Sequence, residues 1–240
     1  MATHEVETLK RWAHGEFYPL SAEERDALDD LVDEMAKRPE AWWQAFRQLL
    51  SESDREATRN LDMPFGALLS VGGESIWDEV ASVARGDRKI ANAFWDGMES
   101  ATLSGEAYKR LGRQMTIEAF VRHEPQLGKG RGALQEWEDG WSGDVLFYLT
   151  QEDPEEAWAM ALDLLAVNDD PYWASSIAAF IIEDLLHDHG DAFIERIEAE
   201  AAHNERLRMG LPTTEWSVPG HLLDRVKSAA GPYWTRRRQH

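Results

Sequence analysis

Apolar residues recur every three or four positions through most of this chain, which is the spacing of one side of an α-helix. Leu28, Leu31, Val32 and Met35 mark one such side, and they follow Ser21-Ala22-Glu23-Glu24, a capping box in which the serine accepts from a backbone N–H and the glutamate reaches back. Asp153-Pro154-Glu155-Glu156 sets an acidic cap, a proline at the first helical position and acids against the helix dipole. Trp158, Ala161, Leu162 and Leu165 then fall on one side. Asp170-Pro171 repeats the device, continued by Ile177, Phe180, Ile181 and Leu185. Further on, Ile194, Ile197 and Ala201 share a stripe while Glu195, Glu198 and Glu200 point elsewhere. Gly73 and Gly190 each follow a Leu-Leu pair and precede an acid, the pattern of a helix stop and a fresh start. Pro64 predicts a kink or delay in the helix that reaches Leu68-Leu69. Alternating apolar runs are missing, and Val145 to Leu149, after Asp139-Gly140 and before a capped helix, reads as a buried helix. The fold class is all-α, with roughly ten to twelve helices.

Two stretches carry the same features in the same order. One runs from Pro39-Glu40 through Trp43 and Leu49-Leu50 to Leu68-Leu69, Gly73, Ile76, Val80, Ala84, Ile90 and Phe94. The other runs from Pro154-Glu155 through Trp158 and Leu164-Leu165 to Leu185-Leu186, Gly190, Phe193, Ile197, Ala201, Leu207 and Leu211. The offset is 115 residues in the first block and 117 in the second, so one two-residue indel reconciles them. A diverged duplication predicts a helical repeat or solenoid-like bundle, because each unit covers its apolar side with the next. The organisation expected is N-terminal helices over 1–35, a first copy over 36–100 and a connector with helices over 101–150. A second copy over 151–213 and a C-terminal helix with a basic tail over 214–240 complete it. The connector should hold a helix from Ala107 to Val121.

Charge alters this picture. The net charge is −20, and residues 151–213 hold 15 acids against 3 bases, whereas 36–100 hold 11 against 8. The tail from 214 holds 2 acids against 5 bases and ends in Arg236-Arg237-Arg238. Such an exterior disfavours nucleic acid and anionic membrane as partners and favours a basic protein. Without cysteine there is no disulfide, thiolate nucleophile or cysteine zinc site. The start of the chain lacks the basic and apolar runs of a signal peptide, and Ala174 to Ile182 is too short to span a bilayer. A cytoplasmic, water-soluble protein is expected.

Catalytic patterns fail one by one. Leu185-Leu186-His187-Asp188 resembles the metal-binding His-Asp pair of HD-type phosphohydrolases, a likeness that implies a metal-dependent hydrolase using His187, Asp188 and His189. That family needs an upstream histidine a few tens of residues earlier, and none lies between His123 and His187. The first copy has Ser70, Val71 and Gly72 at the aligned places. The structural alternative is a helix C-terminus at which both histidines bond terminal carbonyls. Gly128-Lys129-Gly130-Arg131-Gly132 offers amides to a phosphate but lacks the Walker spacing and a preceding strand, so a flexible connector between lobes is the better reading. No serine stands in Gly-x-Ser-x-Gly, and no cofactor or metal is expected. Glu136-Trp137-Glu138-Asp139-Gly140-Trp141 places two indoles among acids. Exposed, these suit a basic partner with an apolar core; otherwise both rings pack under the connector.

The second copy resembles a bacterial domain family of unknown function. Its pattern is Asp-Pro-Glu-x-Ala-Trp, then Leu-Leu-x-x-His-Gly-x-x-Phe-Ile and Glu-x-Glu-Ala. Asp153, Pro154, Glu155, Trp158, Leu185, Leu186, His189, Gly190, Phe193, Ile194, Glu198, Glu200 and Ala201 carry it, with Glu156 as an extra residue before Ala157-Trp158. The resemblance implies a helical fold and a bacterial origin, and no mechanism. The leading functional expectation is a non-enzymatic acidic protein-binding module, most concretely an immunity or antitoxin-type inhibitor of a basic toxin or effector. Its partner-binding residues would be Glu136, Trp137, Glu138, Asp139, Trp141, Glu195 and Glu198. The other readings are the metal-dependent hydrolase and a nucleic-acid mimic with carboxylates along the helices of 151–205.

Overall fold

The computed structural model describes residues 4–13, 22–52, 61–127 and 139–236, and every regular element among them is helical. The Ser21 cap, the glycine-rich run 128–132, Glu136, Trp137, Glu138 and the end of the basic tail lie outside the described residues. Two compact units divide the chain. One comprises 1–116 with 132–141, the other 117–131 with 142–240. Residues 101–150, expected as a connector, are therefore shared between them.

In the first unit α1 (His4–Ala13) turns Val6, Leu9 and Trp12 inward, and its buried Glu5 meets Arg38 at 3.0 Å. Helices α2 (Ala22–Lys37) and α3 (Pro39–Glu52) follow. The former contributes Leu31 and Met35 to the core, the latter Trp42, Trp43, Phe46, Leu49 and Leu50. Phe65 lies 6.1 Å from the Trp43 ring and 4.9 Å from Phe46, so the aromatic side chains of α3 and α4 (Asp62–Ala84) form one cluster. Each such side chain, fully buried, stabilises by about 1.5–3 kcal/mol. Pro64 stands in the first turn of α4, where a missing N–H costs nothing; the helix has already begun at Asp62 and stays helical through the proline, so the expected kink or delay is not seen there. The break comes at Gly73 (φ 63, ψ −165), a conformation open to glycine and strained for any other residue. Across it the Trp77 indole N–H donates to the Leu69 carbonyl at 2.6 Å.

Asp87 caps α5 (Arg88–Ser100) by accepting from the N–H groups of Lys89 and Ile90. Ile90, Phe94, Trp95 and Met98 bury one side of it. The long segment α6 (Ser104–Leu127) covers the helix expected from Ala107 to Val121 but breaks within it at Gly112 (φ 80). Its residues to Thr116 belong to the first unit and those from Ile117 to the second.

The main run of the second unit begins at Ser142, within α7 (Trp141–Glu152), so Val145 to Leu149 is helical, with Val145, Leu146 and Leu149 buried. Next comes α8 (Pro154–Val167), where the Asp153 carboxylate accepts from the Glu156 N–H at 3.2 Å. Asp170 does the same for Tyr172 at 2.9 Å in α9 (Pro171–Ile177). The Trp173 indole donates at 2.7 Å to the Leu164 carbonyl, one of the last four of α8 that have no partner within the helix. A π-turn, Ala178–Ile182, links α9 to α10 (Glu183–Ala201). There Phe180 meets Phe120 edge-on at 5.4 Å, and Phe120 meets Trp173 at 5.8 Å. After α11 (Glu205–Gly210) and a 3₁₀ turn, Leu211–Trp216, the chain ends in α12 (Leu223–Ala230) and α13 (Pro232–Arg236).

The two stretches with the same order of features both open with a 14-residue helix, α3 and α8, and both contain a later broken helix. The breaks differ. In the second stretch the non-helical residue is His189 (φ −128, ψ 17), not Gly190. A Cβ on Gly190 would stand 2.4 Å from Leu222 Cδ1, the end of a flexible side chain.

Candidate functional site

The tempting His-Asp-His run lies where α10 breaks beside the last turn of α7. Thr150 is buried, and its carbonyl accepts from His189 Nε2 at 3.0 Å. His189 does bond a terminal carbonyl, but that of α7, because α10 itself runs on to Ala201. This corrects the helix-end reading. His187 Nδ1 lies 2.6 Å from Asp188 Oδ1, and the other oxygen of Asp188 accepts from the Gln151 amide at 2.8 Å. The Gln151 and His187 hydrogen bonds hold the Asp188 carboxyl below its ordinary range. Asp184 stands one turn earlier on the same side, 3.5 Å from Thr150 Oγ1. Burial pushes its carboxyl up, reinforced by the like charges of Asp188 and Glu183. His187 and Asp188 thus pair with each other, while His189 turns to the α7 carbonyl. Among the described residues no group of three or more His, Asp or Glu is placed to hold a metal ion.

The acidity of the second unit is a surface property. Glu152, Asp163, Asp169, Asp191, Glu195 and Glu205 are exposed. Every base in 151–213 is committed inside the chain. Arg196 clamps Glu155 with two bonds of 2.6 and 2.7 Å while lying 4.8 Å over Phe193 and 5.7 Å over Trp158. Arg206 pairs with Asp169. Arg208 donates to the Ala201 carbonyl at 2.5 Å. From α12, Arg225 clamps Glu198 at 2.8 and 2.5 Å, and that hydrogen bonding keeps the Glu198 carboxyl low.

Of the residues expected to meet a partner, Glu195 is exposed on α10, and Glu198 sits half-buried in the Arg225 clamp. Asp139 and Trp141 are corrected. Asp139 is buried against Arg88 at 2.5 Å, and Trp141 is sealed in the core at 1% exposure. Neither side chain is open to a docking protein in this fold. The reading in which the rings pack beneath the surface holds for Trp141.

Composition and spacing passed over Trp216, which is 85% exposed at the end of the 3₁₀ turn. Leu211 and Thr214 root that turn in the core, and the Ser217 hydroxyl bonds the Glu183 carboxylate. A signal was available. Positions three and four residues either side of Trp216 are Pro212, Thr213, Pro219 and Gly220, so the indole joins no apolar stripe.

None of the described helices is long and apolar enough to cross a membrane. No curated protein and no solved structure matches the chain. Residues 130–232, a little under half of the 240, match a domain family of unknown function (DUF6869), so the second half carries an uncharacterised helical domain.

Proposed function

We propose that this chain is a non-enzymatic acidic protein-binding module, in its most concrete form an immunity or antitoxin-type inhibitor of a basic bacterial protein in the cytoplasm. The bacterial setting rests on the resemblance of residues 153–201 to the bacterial pattern given above. One observation carries the reading: the charge excess lies on exposed helices whose few bases are already tied to the chain's own carboxylates and carbonyls. Such a surface attracts a positive partner over long range and speeds the encounter, while buried contacts set the lifetime of the complex.

The test is affinity purification of the full chain from its native host at low ionic strength. A basic protein should copurify and be released above about 0.5 M salt, where charges are screened over a few ångströms. A chain that elutes alone at every ionic strength would sink the proposal.

A further inference from the structure

The structure assigns Trp216 as the anchor on which an arginine side chain of a basic partner docks; this deepens the proposed function and rests on it. The argument starts from how the chain uses indoles elsewhere. In the first unit Arg110 lies 5.0 Å over Trp77, and its guanidinium pairs with Asp78 and Glu106, each at 2.8 Å. In the second unit Arg196 lies over Trp158 and pairs with Glu155. Each assembly has three parts: an indole face, a carboxylate beside it, and a guanidinium held between them.

Trp216 offers the first of the three, an open indole face. Glu215 precedes it in sequence, and the hydroxyl of Ser217, which follows it, bonds the Glu183 carboxylate, on a unit whose exterior is strongly acidic. Among the described residues no cation lies over its ring, and no described base pairs with Glu183. An 85% exposed tryptophan is a large apolar area left in water, and tryptophan is the side chain most enriched where partners bind strongly. A planar guanidinium stacks on an indole better than an ammonium does and pairs with a carboxylate in the same plane. A second copy of this chain is a poor occupant, since net charge of −20 on each repels. Nucleic acid and anionic bilayers are repelled in the same way.

The experiment measures fluorescence anisotropy of labelled nona-arginine and nona-lysine peptides titrated with the full chain at low salt. Nona-arginine should bind more tightly than nona-lysine by about threefold. Trp216→Ala should erase that preference, Trp216→Phe should keep part of it, and Glu183→Gln should weaken both peptides alike. The melting temperature of Trp216→Ala should stay within about 2 °C of the parent, as for most exposed positions. A preference that survives in Trp216→Ala overturns the anchor while leaving the acidic-module reading in place. If the parent chain binds neither peptide, both readings fall. Binding to neutral phosphatidylcholine vesicles that depends on Trp216, without peptide binding, also overturns the assignment.

Discussion

Asp184 shows how one carboxyl can be set against its surroundings. Burial first, then Asp188 and Glu183, favour its protonated form in the folded chain. The folded protein therefore keeps a proton that the unfolded chain has already released, and stability falls as pH rises through that interval. At neutral pH the residue is a net cost. Its neighbour Thr150 already donates its hydroxyl to the Phe147 carbonyl at 2.8 Å, so it offers the carboxylate little in return. An asparagine amide could donate to Thr150 Oγ1 instead. Asp184→Asn should raise the melting temperature at pH 7 by about 1–2 °C. The gain should vanish below about pH 3.9, where an ordinary aspartate is itself protonated. Melts of the two proteins across pH check this, and a variant that melts lower at pH 7 refutes it. Glu198 runs the other way. Its carboxyl is held low by Arg225, so that clamp stabilises above the ordinary glutamate range and is lost as pH falls below it. Because the pair is part exposed, its contribution is small.

Where helices cross, single positions decide the geometry. A Cβ on Gly210 at the end of α11 would lie 2.4 Å from the Ala174 carbonyl oxygen and 3.0 Å from Ala178 Cβ. Backbone on the facing element cannot swing aside as a side chain can. Gly210→Ala should cost about 1–3 kcal/mol, and calorimetry should show a fall of several degrees; an unchanged melting temperature would mean that α9 and α11 are not held this closely. Nothing in the sequence around Gly210 announces the crossing, because the contact is with residues 32 to 36 positions away. The caps were legible for the opposite reason. Asp153 and Asp170 act within three residues of themselves, and the chain shows both partners at once. Helical periodicity likewise placed Trp158, Ala161 and Leu165 in the core, with Leu162 on the same side only half-buried. The π-turn at Ala178–Ile182 was hidden, since it inserts its wider turn into an unbroken apolar run. The break at His189 was assigned to the glycine beside it, because a glycine is the usual helix stop, and the bond that His189 makes to Thr150 spans 39 residues.

For the molecule as a whole, the charge was fully legible and its consequences are the most general. Forty-five acids against 25 bases give −20, and like charges on a folded surface repel one another more than in the expanded chain. Salt screens that repulsion, with a screening length of about 10 Å at 0.1 M and about 3 Å at 1 M. It also weakens the pairs that the chain does make, such as Arg196 with Glu155 and Arg225 with Glu198, but these are few and partly exposed. Repulsion should dominate. The melting temperature should therefore rise between about 0.02 M and about 0.5 M NaCl, read by calorimetry, and a fall over that range would show that the internal pairs outweigh the excess charge. The same salt should weaken the hold on a basic partner, because it screens attraction and repulsion alike. A module whose acidity serves docking thus gains stability and loses its partner in one titration. An acidic surface that serves only solubility would show the first change without the second.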